Sequence, residues 1–392
     1  MDVTFSHRIP EHLRPSRLAA ARARVGRVPF DLTETNPTRV GIALPGGVLA
    51  ALADPRGATY RPEPRGPRAA REAIASEYAA LGSDVDPDRL VLTASTSEAY
   101  GFLFRLLADP GDVVLVPTPS YPLVEHLARL DGVATASFAL DPDAAWRIEP
   151  SSLAMAPERT RSAIVVHPNN PTGSHVHPAD RDLLVETCRD RGWALIADEV
   201  FLSYPLRGDG RSPTSFAGED RCLTFSLGGL SKSCGLPQLK AAWIVASGPD
   251  DEVATALERL EWIADAALSV STPVAEGLPE ILAASRSRRE AILARCRANL
   301  TALEAACRVV PGVTVSAPDG GWSCVLRVPR LVDDEQLVLT LLEDDGVAVQ
   351  PGYLFDLPGD GWLVLSLLPR EATFSDGVER LLARVERLVR DA

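Results

Sequence analysis

With 392 residues, 46% of them hydrophobic and 24% charged, the chain has the composition of an ordinary globular protein and the length of two or three domains, which excludes a disordered or fibrous protein. No apolar run reaches the ~18 residues of a membrane-spanning helix, and Met1-Asp2-Val3-Thr4 puts no basic segment ahead of an apolar core, so neither anchor nor secretory signal is expected and the chain reads as cytoplasmic. Fifty-three acidic against 40 basic residues leave a formal charge of −13, which repels phosphate backbones and anionic lipid and argues against nucleic acid or membrane as partners.

Residues 1–45 are rich in Arg and Pro, with a helix-like middle from Arg17 to Val25, and read as an arm. A helix over 67–81 opens on Pro67, which suits a first helical turn. The run Leu90-Val91-Leu92-Thr93 leads into a helix from Ser97 to Ala108, stopped by Asp109-Pro110-Gly111-Asp112. Val113–Val116 and a helix from Pro122 to Leu130 follow, then Ala163–His167, a helix over 178–191, and Ala194–Ala197. Leu223–Ser226 and Ala242–Ala246 complete the apolar runs of this region. Short continuous apolar strands separated by amphipathic helices predict a mostly parallel sheet buried on both faces.

After about 250 the pattern changes. A helical stretch over 278–308 precedes a strand at 322–328, a helix at 332–345, a strand at 362–367 and a closing helix at 375–391. The expected fold class is therefore α/β. An N-terminal arm over 1–45 belongs to a small domain, a large domain over 46–279 carries the mostly parallel sheet, and residues 280–392 form the C-terminal small domain.

Six cysteines form no C-x-x-C pair and no zinc-like cluster, and they read as buried thiols with no metal site. Of the forty basic residues only Lys232 and Lys240 are lysines. Arginine cannot stand in where chemistry needs an amine that can lose its proton, so this pair directs attention to 226–243.

Function in open α/β sheets sits at the carboxyl ends of strands, and four such ends are informative. After Leu90–Thr93 come Ser95, Thr96 and Ser97, hydroxyls at a helix N-terminus that suit an anion or an ordinary N-cap. After Ala163–His167 comes Asn169-Asn170-Pro171-Thr172-Gly173, a rigid turn that can present an amide. Asp198-Glu199 follows Ala194–Ala197 and places a carboxylate where burial is costly unless it is paired. Gly228-Gly229-Leu230-Ser231-Lys232 follows Leu223–Ser226. Singly, each also fits a cap, a plain turn, a surface acid or a solvated lysine. Together they offer an anion cradle, an amide donor, a carboxylate and a lysine, which is what pyridoxal 5'-phosphate requires.

The order and the strings resemble the fold-type I pyridoxal-phosphate enzymes, specifically the class I/II aminotransferases, over nearly the whole chain from Thr33 to the last helix. The resemblance implies that Lys232, in Ser231-Lys232, binds the cofactor aldehyde and then moves the substrate proton. It implies that Asp198 pairs with the ring nitrogen, Asn170 donates to the ring 3-oxygen, Tyr121 stacks on the ring, and Ser95, Thr96 and Ser97 cradle the phosphate. Tyr60, in Tyr60-Arg61-Pro62-Glu63-Pro64-Arg65-Gly66, is similar to the tyrosine that reaches a partner subunit's phosphate, although its following Gly comes one residue late. A homodimer with interfacial sites is implied as well. Four positions depart from the pattern. Phe201 stands for a Tyr, Gly229 for a Ser, and Lys240 for a phosphate-binding Arg. Val364-Leu365-Ser366 stands for the Arg-x-Ser that grips the substrate carboxylate, which leaves Arg370 and Arg39 as replacements or as plain surface charges. The expected activity is transfer of an amino group between an amino acid or amine and a 2-oxo acid, with a specialised substrate. The alternative is a lyase, decarboxylase or replacement enzyme on the same scaffold.

Overall fold

In the computed structural model, which describes residues 5–10, 13–207 and 213–392, the short apolar runs become six strands of one eight-stranded sheet, Leu90–Thr93 at its edge and the others inside. Its order is Leu90–Thr93, Ala242–Ser247, Thr224–Gly229, Ala194–Asp198, Thr160–Val166, Val113–Thr118, Ala134–Asp141 and Arg147–Ile148. The strands from Thr224–Gly229 through Ala134–Asp141 are parallel, whereas Ala242–Ser247 runs antiparallel to both of its neighbours. Alternating side chains divide between two helical layers. Val114, Val116, Ile164, Ile196 and Ile244 meet helices Thr96–Leu107 and Asp250–Asp265. Leu115, Ala163, Val165, Leu195 and Ala197 meet helix Pro178–Arg191.

A second, four-stranded antiparallel sheet runs Thr314–Ser316, Ser323–Arg327, Trp362–Ser366, Gln350–Pro351. Its core is shared with helices Arg286–Cys307, Asp334–Glu343 and Glu371–Asp391 and with Leu32 and Val40 from the N-terminal stretch. Phe30–Asp31 pairs in parallel with Val347–Ala348, which ties that stretch to the second layer.

Three features differ from the expected elements. Strand Ala134–Asp141 is half-exposed along most of its length, so Thr135 and Ser137 interrupt the apolar run that marks the inner strands. Helix Asp250–Asp265 is additional to the expected elements, and Asp250, Asp251 and Glu252 fill its first turn, where the helix dipole favours acids. The stretch expected over 278–308 is two helices, Leu278–Ala284 and Arg286–Cys307, interrupted at Ser285. The Ser285 hydroxyl donates back to Ile281 O at 2.6 Å, a local bond that bends helices.

Candidate active site

The parallel order sets the carboxyl ends of Thr160–Val166, Ala194–Asp198 and Thr224–Gly229 side by side, and Asn170, Asp198 and Lys232 follow from those ends. Leu90–Thr93 is not their direct neighbour. Ala242 pairs with both Thr93 and Gly229. That row sets the first turn of helix Thr96–Leu107 and the Lys232 segment on either side of the chain that passes through Lys240.

Asp198 lies at the end of a strand whose other residues are buried. Its Oδ1 accepts from Val200 N at 3.2 Å and its Oδ2 from the Tyr100 hydroxyl at 3.0 Å. Burial pushes the carboxyl above the usual carboxylate range, against the pull of those two bonds and of the Lys232 charge. Burial likewise pushes the Lys232 amine down, with Asp198 pulling it back up. Glu199 is committed elsewhere. It accepts from Ser215 Oγ and Phe216 N, both at 2.6 Å, and burial raises it to about 7.

Lys232 sits in the single turn Leu230–Ser233. Its Nζ lies 5.8 Å from the centre of the Phe201 ring and 5.4 Å from that of Trp322, two rings packed edge to face. Behind it, the Tyr204 hydroxyl donates to Lys232 O and Ser233 O at 2.8 and 2.9 Å. Tyr204 therefore cannot supply the donor that Phe201 lacks. Gly229 has a packing explanation. A Cβ there would lie 2.9 Å from Ala242 Cβ, and one at Gly228 would run into the Trp243 indole, so the serine of the family pattern has no room. Ser231 is half-buried beside the lysine.

The two asparagines of the turn divide their work. Asn169 is buried, and its Nδ2 donates to Pro119 O at 3.1 Å and Thr172 Oγ1 at 2.9 Å, which ties the turn to the segment before Tyr121. Asn170 is half-buried, and its amide forms no hydrogen bond among the described residues. At the helix N-terminus, Ser95 is the N-cap, its Oγ accepting from Glu98 N at 3.1 Å. The Thr96 and Ser97 hydroxyls are unengaged among the described residues, so the capping and anion-binding readings divide between Ser95 and its neighbours.

Tyr121 is 49% exposed, so it is not a core tyrosine, and its ring centre lies 6.4 Å from that of Phe355. Tyr60 is 70% exposed on the surface. Lys240 is exposed and left-handed at φ +53°. Val364 is buried in an apolar cluster with Phe355, Trp146 and Trp362, so no polar group occupies the place of the family arginine. Arg370 caps the last helix, exposed, with its guanidinium against Gly41, where a Cβ would lie 2.8 Å from Nη2. Arg39 is exposed on the same arm. Tyr100 and Trp322 leave no mark in the sequence, because each is an aromatic at a buried position, which is also how an ordinary core residue looks.

The set fits pyridoxal phosphate. It combines a carboxylate raised by burial, an amine whose basicity burial lowers, and free hydroxyls at the N-terminus of a twelve-residue helix. A family model described as "Aminotransferase class I and II" matches residues 31–381. An alanine aminotransferase of Mycobacterium tuberculosis is 28% identical, over 97% of this chain and 90% of the relative. A glutamate-pyruvate aminotransferase of Haemophilus influenzae is 25% identical, over 99% and 96%. The crystal structure of an aminotransferase from Escherichia coli superposes with a TM-score of 0.86, 24% identity and 98% coverage of both chains.

Proposed function

The chain belongs to the class I and II aminotransferases, and on that premise we propose that Lys232, Asp198, Asn170, Tyr121, Ser231 and the Ser95-Thr96-Ser97 turn form its active site, with Lys240 and Tyr60 at the phosphate end. The enzyme is a pyridoxal-phosphate-dependent aminotransferase acting on an amino donor and a 2-oxo acid. Lyase, decarboxylase or replacement chemistry is not favoured, since the named relatives are aminotransferases. The observation that carries the site reading is the placement of an acid and an amine, Asp198 and Lys232, at neighbouring strand ends, with burial shifting each toward its neutral form.

Pyridoxal phosphate, when bound, supplies a conjugated ring that takes up the electron pair left on the substrate's α carbon. The protein does the rest. The lowered basicity of Lys232 leaves its Nζ free to accept the proton from that carbon and return it at the next atom. Asp198, held in place by Tyr100 and Val200 N, keeps a positive partner opposite its carboxylate. The aromatic pair Phe201 and Trp322 walls two sides of the amine. Individual amino acids mixed with the loaded protein should convert its absorbance to that of the aminated cofactor, and a 2-oxo acid should restore it. Release of a fragment or of ammonia with no such interconversion would favour the lyase class.

The substrate is proposed to be specialised. A guanidinium grips an α-carboxylate through two charge-assisted bonds worth about 1.5–3 kcal/mol each. Val364 supplies neither, and Arg370 and Arg39 are the candidates to replace it. Aspartate or alanine with 2-oxoglutarate should therefore give kcat/KM at least about a hundredfold below the best substrate. Efficient turnover of several common amino acids would overturn this, and Arg370→Ala and Arg39→Ala would show which had taken the carboxylate.

Phe201→Tyr should lower the pH at which the loaded protein changes colour, because a hydroxyl donating to the ring 3-oxygen favours the deprotonated form. A spectrophotometric titration with no shift, or an upward one, would place the Phe201 edge elsewhere. A homodimer completes the reading, with exposed Tyr60 facing the partner subunit. The division into an arm (1–45), a large domain (46–279) and a small domain (280–392), and residence in the cytoplasm, where six free buried thiols would persist, belong to the same proposal.

A further inference from the structure

Helix Arg286–Cys307 carries Arg288, Arg295 and Asn299 at i, i+7 and i+11, which places them along one side. Arg288 is buried, only 3% exposed, and among the described residues it has no carboxylate partner. Its Nη1 donates to Ile42 O and Ala43 O at 2.6 and 2.7 Å. Its Nη2 reaches Pro37 O at 2.9 Å and Gly235 O at 3.3 Å, and its Nε reaches Gly235 O at 3.3 Å. Arg295 adds Val40 O at 3.4 Å and Pro369 O at 3.3 Å, and Asn299 adds Leu367 O and Pro369 O at 2.8 Å.

A guanidinium buried without a counter-ion costs several kcal/mol. Here every acceptor is a backbone carbonyl. Such a charge fixes the position of chain segments and leaves side-chain chemistry untouched. The segments are informative. Pro37, Ile42 and Ala43 bracket the stretch that bears Arg39, and Gly235 lies three residues beyond Lys232. The two already touch, since a Cβ on Gly235, at φ +65°, would stand 3.3 Å from Pro37 Cβ and 2.7 Å from Ile292 Cδ1. Only a planar fork can satisfy both at once, because an ammonium presents a point charge on one stem.

We propose that Arg288 is a positioning residue that joins the arm Pro37–Ala43 to the lysine segment Leu230–Gly235, so that the ordering of the substrate-facing arm and the placement of Lys232 are one equilibrium. The proposal rests on the roles given above to Lys232 and to the arm. Loss of the fork frees the arm and weakens substrate capture, while the chemistry at the amine persists in the captured fraction.

The test compares the loaded Arg288→Met and Arg288→Lys proteins with Leu341→Ala, a cavity in the small-sheet core. Hydrogen–deuterium exchange should show residues 36–43 and 230–236 of Arg288→Met losing protection together, by about tenfold or more. The donor KM should rise by about fivefold or more while kcat stays within about twofold. Arg288→Lys should fall between Arg288→Met and the parent on both readings, and it decides the matter if Arg288→Met fails to fold. Leu341→Ala should show neither effect. Loosening confined to 36–43 would overturn the proposal, as would joint loosening with KM unchanged, or the same pattern in Leu341→Ala. An error in the role given to Lys232 would appear separately, as cofactor label on Lys240.

Discussion

Lys232→Ala is expected to purify colourless and to lose turnover by on the order of 10^4-fold or more, since the amine serves both as the attachment point and as the proton carrier. The chain contains two lysines, so the assignment is a choice between two. Lys232 is half-buried, with its basicity lowered by burial and aromatic rings on two sides. Lys240 is exposed. Borohydride treatment of the loaded protein followed by peptide mapping should place the cofactor on Lys232. Label on Lys240, or a coloured Lys232→Ala protein, would sink the assignment. Lys240→Arg should leave the label where it is.

The second large effect is expected at Asp198. A hydrogen-bonded charge that stabilises the reacting state is worth about 1.5–3 kcal/mol, or one to two decades in rate at about 1.4 kcal/mol per decade, and the desolvated site raises its worth further. Asp198→Asn keeps the shape and the bond from Val200 N to the remaining oxygen, while its NH2 group has to donate to the Tyr100 hydroxyl where the carboxylate accepted from it, so its loss reports chiefly on the charge. The expected outcome is a fall in kcat of about a hundredfold or more, with weaker cofactor retention on dialysis. Asp198→Glu should recover part of the rate. Near-parent turnover in Asp198→Asn would mean that the carboxylate does not face the ring nitrogen.

The parts of this site that can be read in the sequence are those that stand out from their neighbours and recur at consecutive strand ends. An acid directly after four apolar residues, and a lysine in a chain that otherwise uses arginine, both demand an explanation. Asn170 is legible through its neighbours, since Pro171, Thr172 and Gly173 fix a turn, although only the geometry separates it from Asn169. Tyr100 leaves no such mark, because its apolar ring satisfies the helix pattern and its hydroxyl finds Asp198 only once the sheet has formed. Arg288 is more hidden still. It stands in Arg286-Ser287-Arg288-Arg289, and nothing in that string tells which guanidinium turns inward. The fold follows the same logic. The inner strands are buried on both faces and read as continuous apolar runs, whereas Ala134–Asp141, half-exposed along most of its length, does not.

The row through Thr93, Ala242 and Gly229 also acts as a gauge of length. Neighbouring strands stand about 4.8 Å apart, so the two backbones that flank Ala242 are separated by on the order of 10 Å. In the proposed site, one of them leads to the anion-binding turn and the other to the amine. A ligand secured at both must carry its anionic and carbonyl ends at a matching separation. An aldehyde with the same ring and no phosphate would be held at one end only, free to pivot about Lys232. The interposed antiparallel strand thereby selects molecules by their reach before any of their chemistry is tested.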